Sequence, residues 1–179
     1  INPALWRRRV FVWHTHPRDD LGISDDELMF VLGKVTLIFC ACSEHARQLV
    51  ARGIPSERVK FVIGGADPDR FLPHRRGGGK VGFCSAYYPR KSPDTLFKIV
   101  QLMPGTDFLL VGRGWQDYKR FAELNSLPNF KYIEAQYSDY PSLYSEMDVF
   151  VSVSQLEGGP IPLIEAMMSE TELKGIKIW

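Results

Sequence analysis

From residue 80 onwards the sequence alternates, four times over, a short apolar run with a longer run of helical character. The units are strand 80–84 with helix 94–102, strand 107–111 with helix 115–124, strand 130–134 with helix 141–147, and strand 149–152 with helix 160–168. Repeated strand–helix alternation folds as a parallel sheet with helices on both faces, so the chain is expected to be α/β and doubly wound, in the Rossmann-like manner. Ligands of such sheets bind at the carboxyl ends of the strands, which directs attention to the loops 85–92, 112–115, 135–140 and 154–160.

The first third alternates in the same way. A strand at 9–13 ends at the polar run H-T-H-P-R-D-D, and Ser24 with Glu27 three residues on forms a capping box for a helix that runs to about Leu32, before Gly33. A strand is expected at 35–41, then a helix at 44–52 capped by Ser43 and stopped by Gly53 and Pro55, then a strand at 59–63 running into Gly64-Gly65. Between 67 and 80 the apolar residues thin out, and Pro68, Pro73 and Gly77-Gly78-Gly79 gather with His74-Arg75-Arg76, the composition of a linker. Gly79-Lys80 is not a phosphate-binding P-loop, because Val81 follows it and no glycine lies five positions before Gly79.

Composition narrows the function classes. Over 179 residues, 22 Lys and Arg balance 21 Asp and Glu, so there is no general field to attract nucleic acid or an anionic membrane. With 45% hydrophobic residues the chain is of ordinary globular type, and its longest apolar stretches, 35–40 and 108–111, are far short of a membrane span. Arg7-Arg8-Arg9 leads to the polar His14-Thr15-His16, which is no signal peptide. Three cysteines make no disulfide framework; Cys40 and Cys42 are expected on one buried strand face, in a reducing cytosol. The chain begins at Ile1 in a strand-like segment and ends at Ile178-Trp179, so a fragment truncated at both ends is expected.

The loop and helix from Ser154 to Glu165 read S-Q-L-E-G-G-P-I-P-L-I-E. Gly158-Gly159 lets backbone approach a ligand closely, and Pro160 in the first helical turn gives up an N–H that would be unpaired there in any case. Exposed amides and the helix dipole then favour a phosphate. Glu157 and Glu165 are poor phosphate ligands and suit hydroxyl groups, one on a ribose and the other on a sugar. A capped surface helix with incidental acids is the plainer alternative.

S-x-x-E-G-G-P-x-P-L-I-E-A-M resembles the E-x7-E segment of the group 1 glycosyltransferases (glycosyltransferase family 4). Further segments follow in the family's order: Ser43-Glu44-His45 through Gly53-Ile54-Pro55, Gly65-Ala66-Asp67 with Phe71, Pro89-Arg90-Lys91-Ser92, the glycine loop at 109–114, and Leu143-Tyr144 with Asp148-Val149. The resemblance implies the two-domain GT-B fold and a retaining transfer of sugar from a UDP-, GDP- or ADP-sugar to a sugar, lipid or protein acceptor, in polysaccharide or glycoconjugate synthesis. It implies that Glu165 takes the ribose and Glu157 the donor sugar hydroxyls. The segment Gly158, Gly159, Pro160 and Ile161 would lie near the sugar and diphosphate, touching them through the amides that carry an N–H. Lys91 would meet the diphosphate, with Arg90 beside it, and Gly112 and Gly114 would let backbone run close to the base; turn glycines are the alternative there. No cofactor, no metal and no nucleic acid is implied, and a cytoplasmic enzyme with peripheral contact at the inner membrane face fits the family.

By the same resemblance residues 1–72 are the end of the first, acceptor-side domain, 73–80 a linker, and 81–179 an incomplete nucleotide-sugar-binding domain, a fragment expected to be inactive alone. The sequence departs from the family pattern in two places. Ala86 stands where an arginine is usual, and Ser169-Glu170-Thr171-Glu172 replaces the usual G-x-P-v, so the final strand is expected to be missing or altered. His14 or His16 could face the cleft or be structural, Arg7-Arg8-Arg9 could touch lipid or be solvated, and Trp115, Tyr87 and Tyr88 could stack on a base or pack. A non-catalytic nucleotide-binding module and another Rossmann enzyme such as a dehydrogenase are the competing classes; the latter lacks G-x-G-x-x-G after any strand.

Overall fold

The computed structural model describes residues 9–14, 24–74, 77–155 and 157–175. Arg7-Arg8, His16, Asp19-Asp20, Arg75-Arg76 and Ile178-Trp179 lie outside the described residues. The chain divides into two compact units: one runs to Gly64 and takes in Glu157–Gly159, and the other runs on from Gly65.

The first unit is a parallel sheet in the order β1 (Phe11–His14), β2 (Leu37–Cys40), β3 (Val59–Phe61), with helices α1 (Asp25–Leu32) and α2 (Ser43–Ala51). α1 starts as its sequence requires: Ser24 accepts from the Glu27 N–H at 3.2 Å while the Glu27 carboxylate accepts from the Ser24 N–H at 2.8 Å. Its far end has no basic residue, and the Arg58 guanidinium closes it by donating to the carbonyls of Leu32, Gly33 and Val35. α2 begins one residue earlier than expected. Cys42 leaves the strand in extended backbone and is itself the N-cap, so Ser43 is the first helical residue and makes no side-chain cap. Cys42 is buried as expected but stands beyond β2 rather than on it. Alternation along β2 turns Ile38 and Cys40 into a core with Leu32, Leu49 and Val59.

The second unit has five parallel strands in the order β6-β5-β4-β7-β8: β4 (Lys80–Cys84), β5 (Asp107–Val111), β6 (Phe130–Ile133), β7 (Met147–Ser152) and β8 (Glu172–Gly175). The chain goes outward from β4 to β6, then returns to add β7 on the other side of β4. In open α/β sheets, ligands bind outside the carboxyl ends of the two strands at such a reversal, here β4 and β7. Helices α3 (Pro93–Leu102) and α4 (Phe121–Asn125) cover one face, over Phe83, Phe108 and Leu110. Helices α5 (Tyr140–Tyr144) and α6 (Ile161–Met168) cover the other, over Leu109, Val111 and Phe150. β5 is therefore buried on both sides, which is why its sequence is a continuous apolar run rather than an alternation. The strand β8 forms where the family pattern lapses, pairing Glu172 to Gly175 with Val149 to Ser152.

Two helices differ from expectation. The segment 115–124 is split into a 3-10 turn, Trp115–Asp117, and α4, because its aromatic residues are engaged elsewhere. Trp115 is wholly buried and gives its indole N–H to the Ser85 carbonyl at 2.8 Å, and the Tyr118 hydroxyl donates to Asp94 at 2.6 Å. α5 stops at Tyr144 because Met147 already belongs to β7. The glycines of the expected linker pack against the strand segment: Gly77, Gly78 and Gly79 donate their N–H groups to the Asp148 carboxylate at 2.8–3.3 Å. Gly77 foremost among them, these N–H groups hold that carboxyl below the ordinary carboxylate range.

α3 has no glycine at its C-terminus, and its last carbonyls are met from a distance as well as by the local backbone. The buried Asn129 amide donates to Val100 and Met103 at the helix end and to Thr106 in the turn, at 3.0–3.2 Å. Asn129→Ala should destabilise the chain by about 2 kcal/mol, since it removes three hydrogen bonds made by a buried amide, the one to Val100 away from water. Urea unfolding followed by circular dichroism would read this, and no change in midpoint would refute the capping role.

Candidate functional site

The loops after β4 and β5 are built on each other. The Ser85 N–H donates to Val111 at 3.0 Å and the Tyr87 N–H to Arg113 at 2.9 Å. Gly112 sits at φ 147°, and a Cβ there would lie 1.9 Å from the Ser85 carbonyl oxygen, so backbone meets backbone with no room for a side chain. Gly114, at φ 76°, turns the chain into the Trp115 turn. Both glycines thus have a cause in the turn itself, and Trp115 is core. Tyr87 packs on Trp115 and Tyr118, with ring centroids 5.6 and 6.2 Å apart.

Lys91 closes the 3-10 turn Pro89–Lys91 and is half-buried. The next residue, Ser92, is buried in the left-handed conformation at φ 52° and ψ 56°, and starts α3 with Pro93 as its first residue. For a residue with a Cβ this conformation costs on the order of 1 kcal/mol, and it lets the chain turn sharply from Lys91 into the helix. Arg90 beside it is engaged otherwise. Its guanidinium lies over the Tyr88 ring at 4.5 Å, and its carbonyl accepts from the Gln155 N–H at 2.9 Å, joining the loops after β4 and β7.

Glu165, on the inward side of α6, is 1% exposed. Its Oε1 accepts from the Tyr137 hydroxyl at 2.7 Å and its Oε2 from the Tyr144 hydroxyl at 2.9 Å, which also reaches the Pro162 carbonyl at 3.1 Å. Cys84, the last residue of β4, lies in the same group. Burial pushes its thiol up to about 12; the Glu165 carboxylate adds to the rise, and the Tyr144 hydroxyl and the Lys91 charge oppose it. Loss of water at its hydroxyl, then the bond to Glu165, pushes Tyr137 up to about 12 as well, and burial raises Tyr144 still further. The site therefore gathers an acceptor carboxylate, a lysine and protonated hydroxyls at the carboxyl ends of the strands.

Among the other expected site residues, Glu157 is half-buried, and it groups with Gly158 and Gly159 in the first unit. Gly159 has φ 97°. Pro160 stands outside the first turn of α6 as its extended N-cap, and the helix starts at Ile161 with Pro162 second. Of residues 160–163 only Ile161 and Leu163 carry an N–H, and that of Leu163 donates to the Pro160 carbonyl at 3.1 Å. The amide of Ile161 is thus the donor this helix start offers. His14, at the end of β1, lies edge-on to His45 with ring centroids 6.1 Å apart. Tyr137 and Cys84 were not singled out from the sequence. The spacing of Tyr137, Tyr140 and Tyr144 ahead of a strand was the available signal, since it repeats one aromatic type over two helical turns.

A model of the family described as glycosyl transferases group 1 matches residues 78–172. No curated protein matches the chain. Among solved structures, Anabaena Alr3699/HepE in complex with UDP and glucose superposes with a TM-score of 0.78 at 18% identity, over 96% of this chain and 54% of that one. A variant of S. aureus TarM in complex with Fondaparinux, alpha-GlcNAc-glycerol and UDP gives 0.76 at 17%, over 95% and 37%. Sucrose-phosphate synthase from Thermosynechococcus elongatus gives 0.71 at 16%, over 89% and 46%. At such identities the likeness is one of fold, the GT-B type with parallel sheets covered by helices on both faces. The chain spans about half the length of the first of these structures and less of the other two. Among the described residues no helix is long and apolar enough to cross a membrane.

The phenols around Glu165 make stability fall in alkali. A phenol whose folded value lies near 12, above the ordinary value of 10, stabilises the fold fully below pH 10, and that contribution is lost as pH rises from 10 to 12. Unfolding midpoints measured at pH 9 and pH 11.5 should drop for the native chain and drop less for Tyr137→Phe; equal drops would remove Tyr137 from the account.

Proposed function

The chain belongs to the group 1 glycosyl transferases, and on that premise we propose that it is the donor-binding portion of a retaining enzyme that moves a sugar from a nucleoside-diphosphate sugar to an acceptor hydroxyl. The observation that carries this reading is the grouping of Glu165, Cys84 and Lys91 at the carboxyl ends of β4 and β7, where the strand order reverses. A buried carboxylate is a strong acceptor for ribose hydroxyls, and a lysine is a match for a diphosphate. Anabaena HepE is seen with UDP and with UDP-glucose, which supports a nucleotide-sugar donor for this chain, with UDP as the first candidate over GDP and ADP.

In the reaction the bond between the anomeric carbon and the diphosphate oxygen breaks, and a bond from that carbon to the acceptor oxygen forms. The acceptor's proton leaves with the diphosphate. Negative charge grows on the departing nucleoside diphosphate, and Lys91 with the Ile161 N–H at the start of α6 stabilises it without a metal. Arg90 adds positive charge beside Lys91, in place of the arginine that Ala86 lacks. Glu157 takes the donor sugar hydroxyls, with Gly158, Gly159 and Pro160 allowing close approach, and Gly112 and Gly114 do the same for the base. On this reading residues 1–72 are the acceptor-side domain's end and 81–179 the donor domain, with the segment from Gly65 on, Phe71 included, packed into the donor domain's compact unit. The acceptor is a sugar, lipid or protein of polysaccharide or glycoconjugate synthesis. The parent enzyme works in the cytoplasm, with Arg7-Arg8-Arg9 available to an anionic membrane face. Binding rather than turnover is the activity expected of this chain by itself.

Ligand-observed NMR of the chain against UDP, GDP, ADP and NAD tests the proposal. One nucleoside diphosphate should bind and NAD should not. Glu165→Ala should weaken the nucleotide a few-fold, and Lys91→Ala should weaken the diphosphate about tenfold or more while sparing the nucleoside. If both variants fold and bind as the native chain does, the site assignment is wrong.

A further inference from the structure

The carboxylate that the donor reading gives to the ribose is already full. Both oxygens of Glu165 hold a tyrosine hydroxyl, and the residue is out of reach of water. The two tyrosines are not alike. Tyr144 is 1% exposed, with its ring fixed between Phe71 and Phe150 at centroid distances of 5.7 and 6.0 Å. Tyr137 stands in the loop between β6 and α5 and is 48% exposed, although its hydroxyl reaches inward. Arg70 lies over its ring at 4.8 Å and donates to its carbonyl at 3.1 Å, while Phe71 and Tyr140 flank the ring at 6.0 and 5.4 Å. A hydroxyl that comes from the solvent side to bond a buried carboxylate makes the approach a ribose hydroxyl would have to make.

We infer that the Tyr137 hydroxyl is a stand-in for the ribose: it occupies Glu165 in the free protein and gives way to the sugar hydroxyl of a nucleoside diphosphate, so that Tyr137 sets the affinity and ribose selectivity of the site. The inference rests on the donor reading above. It has a definite thermodynamic consequence. The ribose exchanges one hydroxyl on Glu165 for another, so it gains only the difference between the two bonds, and Tyr137 returns to water. A nucleotide without 2′ and 3′ hydroxyls leaves the tyrosine in place and forfeits little. Removal of the phenol oxygen takes away the competitor and leaves the carboxylate wanting a donor, which favours the ribonucleotide alone.

The test is isothermal titration of the chain, native, Tyr137→Phe and Glu165→Ala, with UDP, GDP, ADP and the 2′,3′-dideoxy form of whichever binds. Tyr137→Phe should bind the ribonucleotide about three- to tenfold more tightly and the dideoxy form as before. The native chain should distinguish the two by only a few-fold, the same factor by which Glu165→Ala weakens the ribonucleotide. On the native chain alone, ultraviolet titration of the phenols should show one tyrosine ionising earlier when the nucleotide is bound, since Tyr137, held up to about 12 in the free protein, is released. Unchanged ribonucleotide affinity in Tyr137→Phe, or a phenol titration indifferent to saturating nucleotide, overturns the inference. The donor reading then still stands provided Glu165→Ala weakens binding. If the folded native chain binds none of the three diphosphates, the donor reading fails and the inference falls with it.

Discussion

A carboxylate taken out of water costs several kcal/mol unless its lone pairs are met, and Glu165 is nearly wholly buried on the inward side of α6. Much of that face of the sheet is organised to meet this cost. Tyr144 comes from α5 and Tyr137 from the loop before it, so the carboxylate ties together two helices and a loop that share no backbone hydrogen-bond ladder. The same hydroxyl of Tyr144 reaches the Pro162 carbonyl, which fixes α6 at its start. Phe71, though it comes from the segment before β4, fills the space behind both tyrosines. Cys84 at the end of β4 completes the wall, and the negative charge nearby reinforces burial in keeping its thiol protonated.

The opposite face of the same sheet solves a different problem. There the core is aromatic, with Phe83 and Phe108 stacked at 6.0 Å and Trp115 sealed beneath the loop after β4. Its polar groups serve backbone: Asn129 ends α3, and Ser92 accepts a left-handed conformation to begin it. The two faces meet at the switch point between β4 and β7, where Lys91 in the loop after β4 and Glu165 on α6 come within electrostatic range of one thiol. One side of the sheet is an aromatic core beneath the loops, and the other is an apolar core into which a carboxylate is let only because two phenols meet it.

Much of this was legible residue by residue. The alternation of apolar and helical runs marks β4 and β5 at the bounds they have, and Ser24 with Glu27 announces a capping box that forms as expected. The resemblance of the segment around Glu165 and Lys91 to a glycosyltransferase pattern led to a family that the match over residues 78–172 supports. Other features were not legible. Periodicity ran a helix through Trp115 and Tyr118, since nothing in the nearby sequence says that their polar atoms are claimed by Ser85 and Asp94. Pro160 fits the first turn of a helix and also its cap, and only the course of the backbone out of the glycines decides between them.

What the sequence determined by itself is whatever rests on interactions a few residues long: caps, strand alternation, turns that need glycine, and the fold class that follows from their order. Tertiary structure alone decided the rest. The strand order that reverses beside β4 is a property of the assembled sheet, and the partners of Glu165 lie 21 and 28 residues away along the chain. A sequence can point to a carboxylate that suits a hydroxyl group. Whether its oxygens face water or two phenols depends on how helices and loops pack across the sheet, because hydrogen bonds over such separations form only once the hydrophobic core has set their ends within 3 Å of each other.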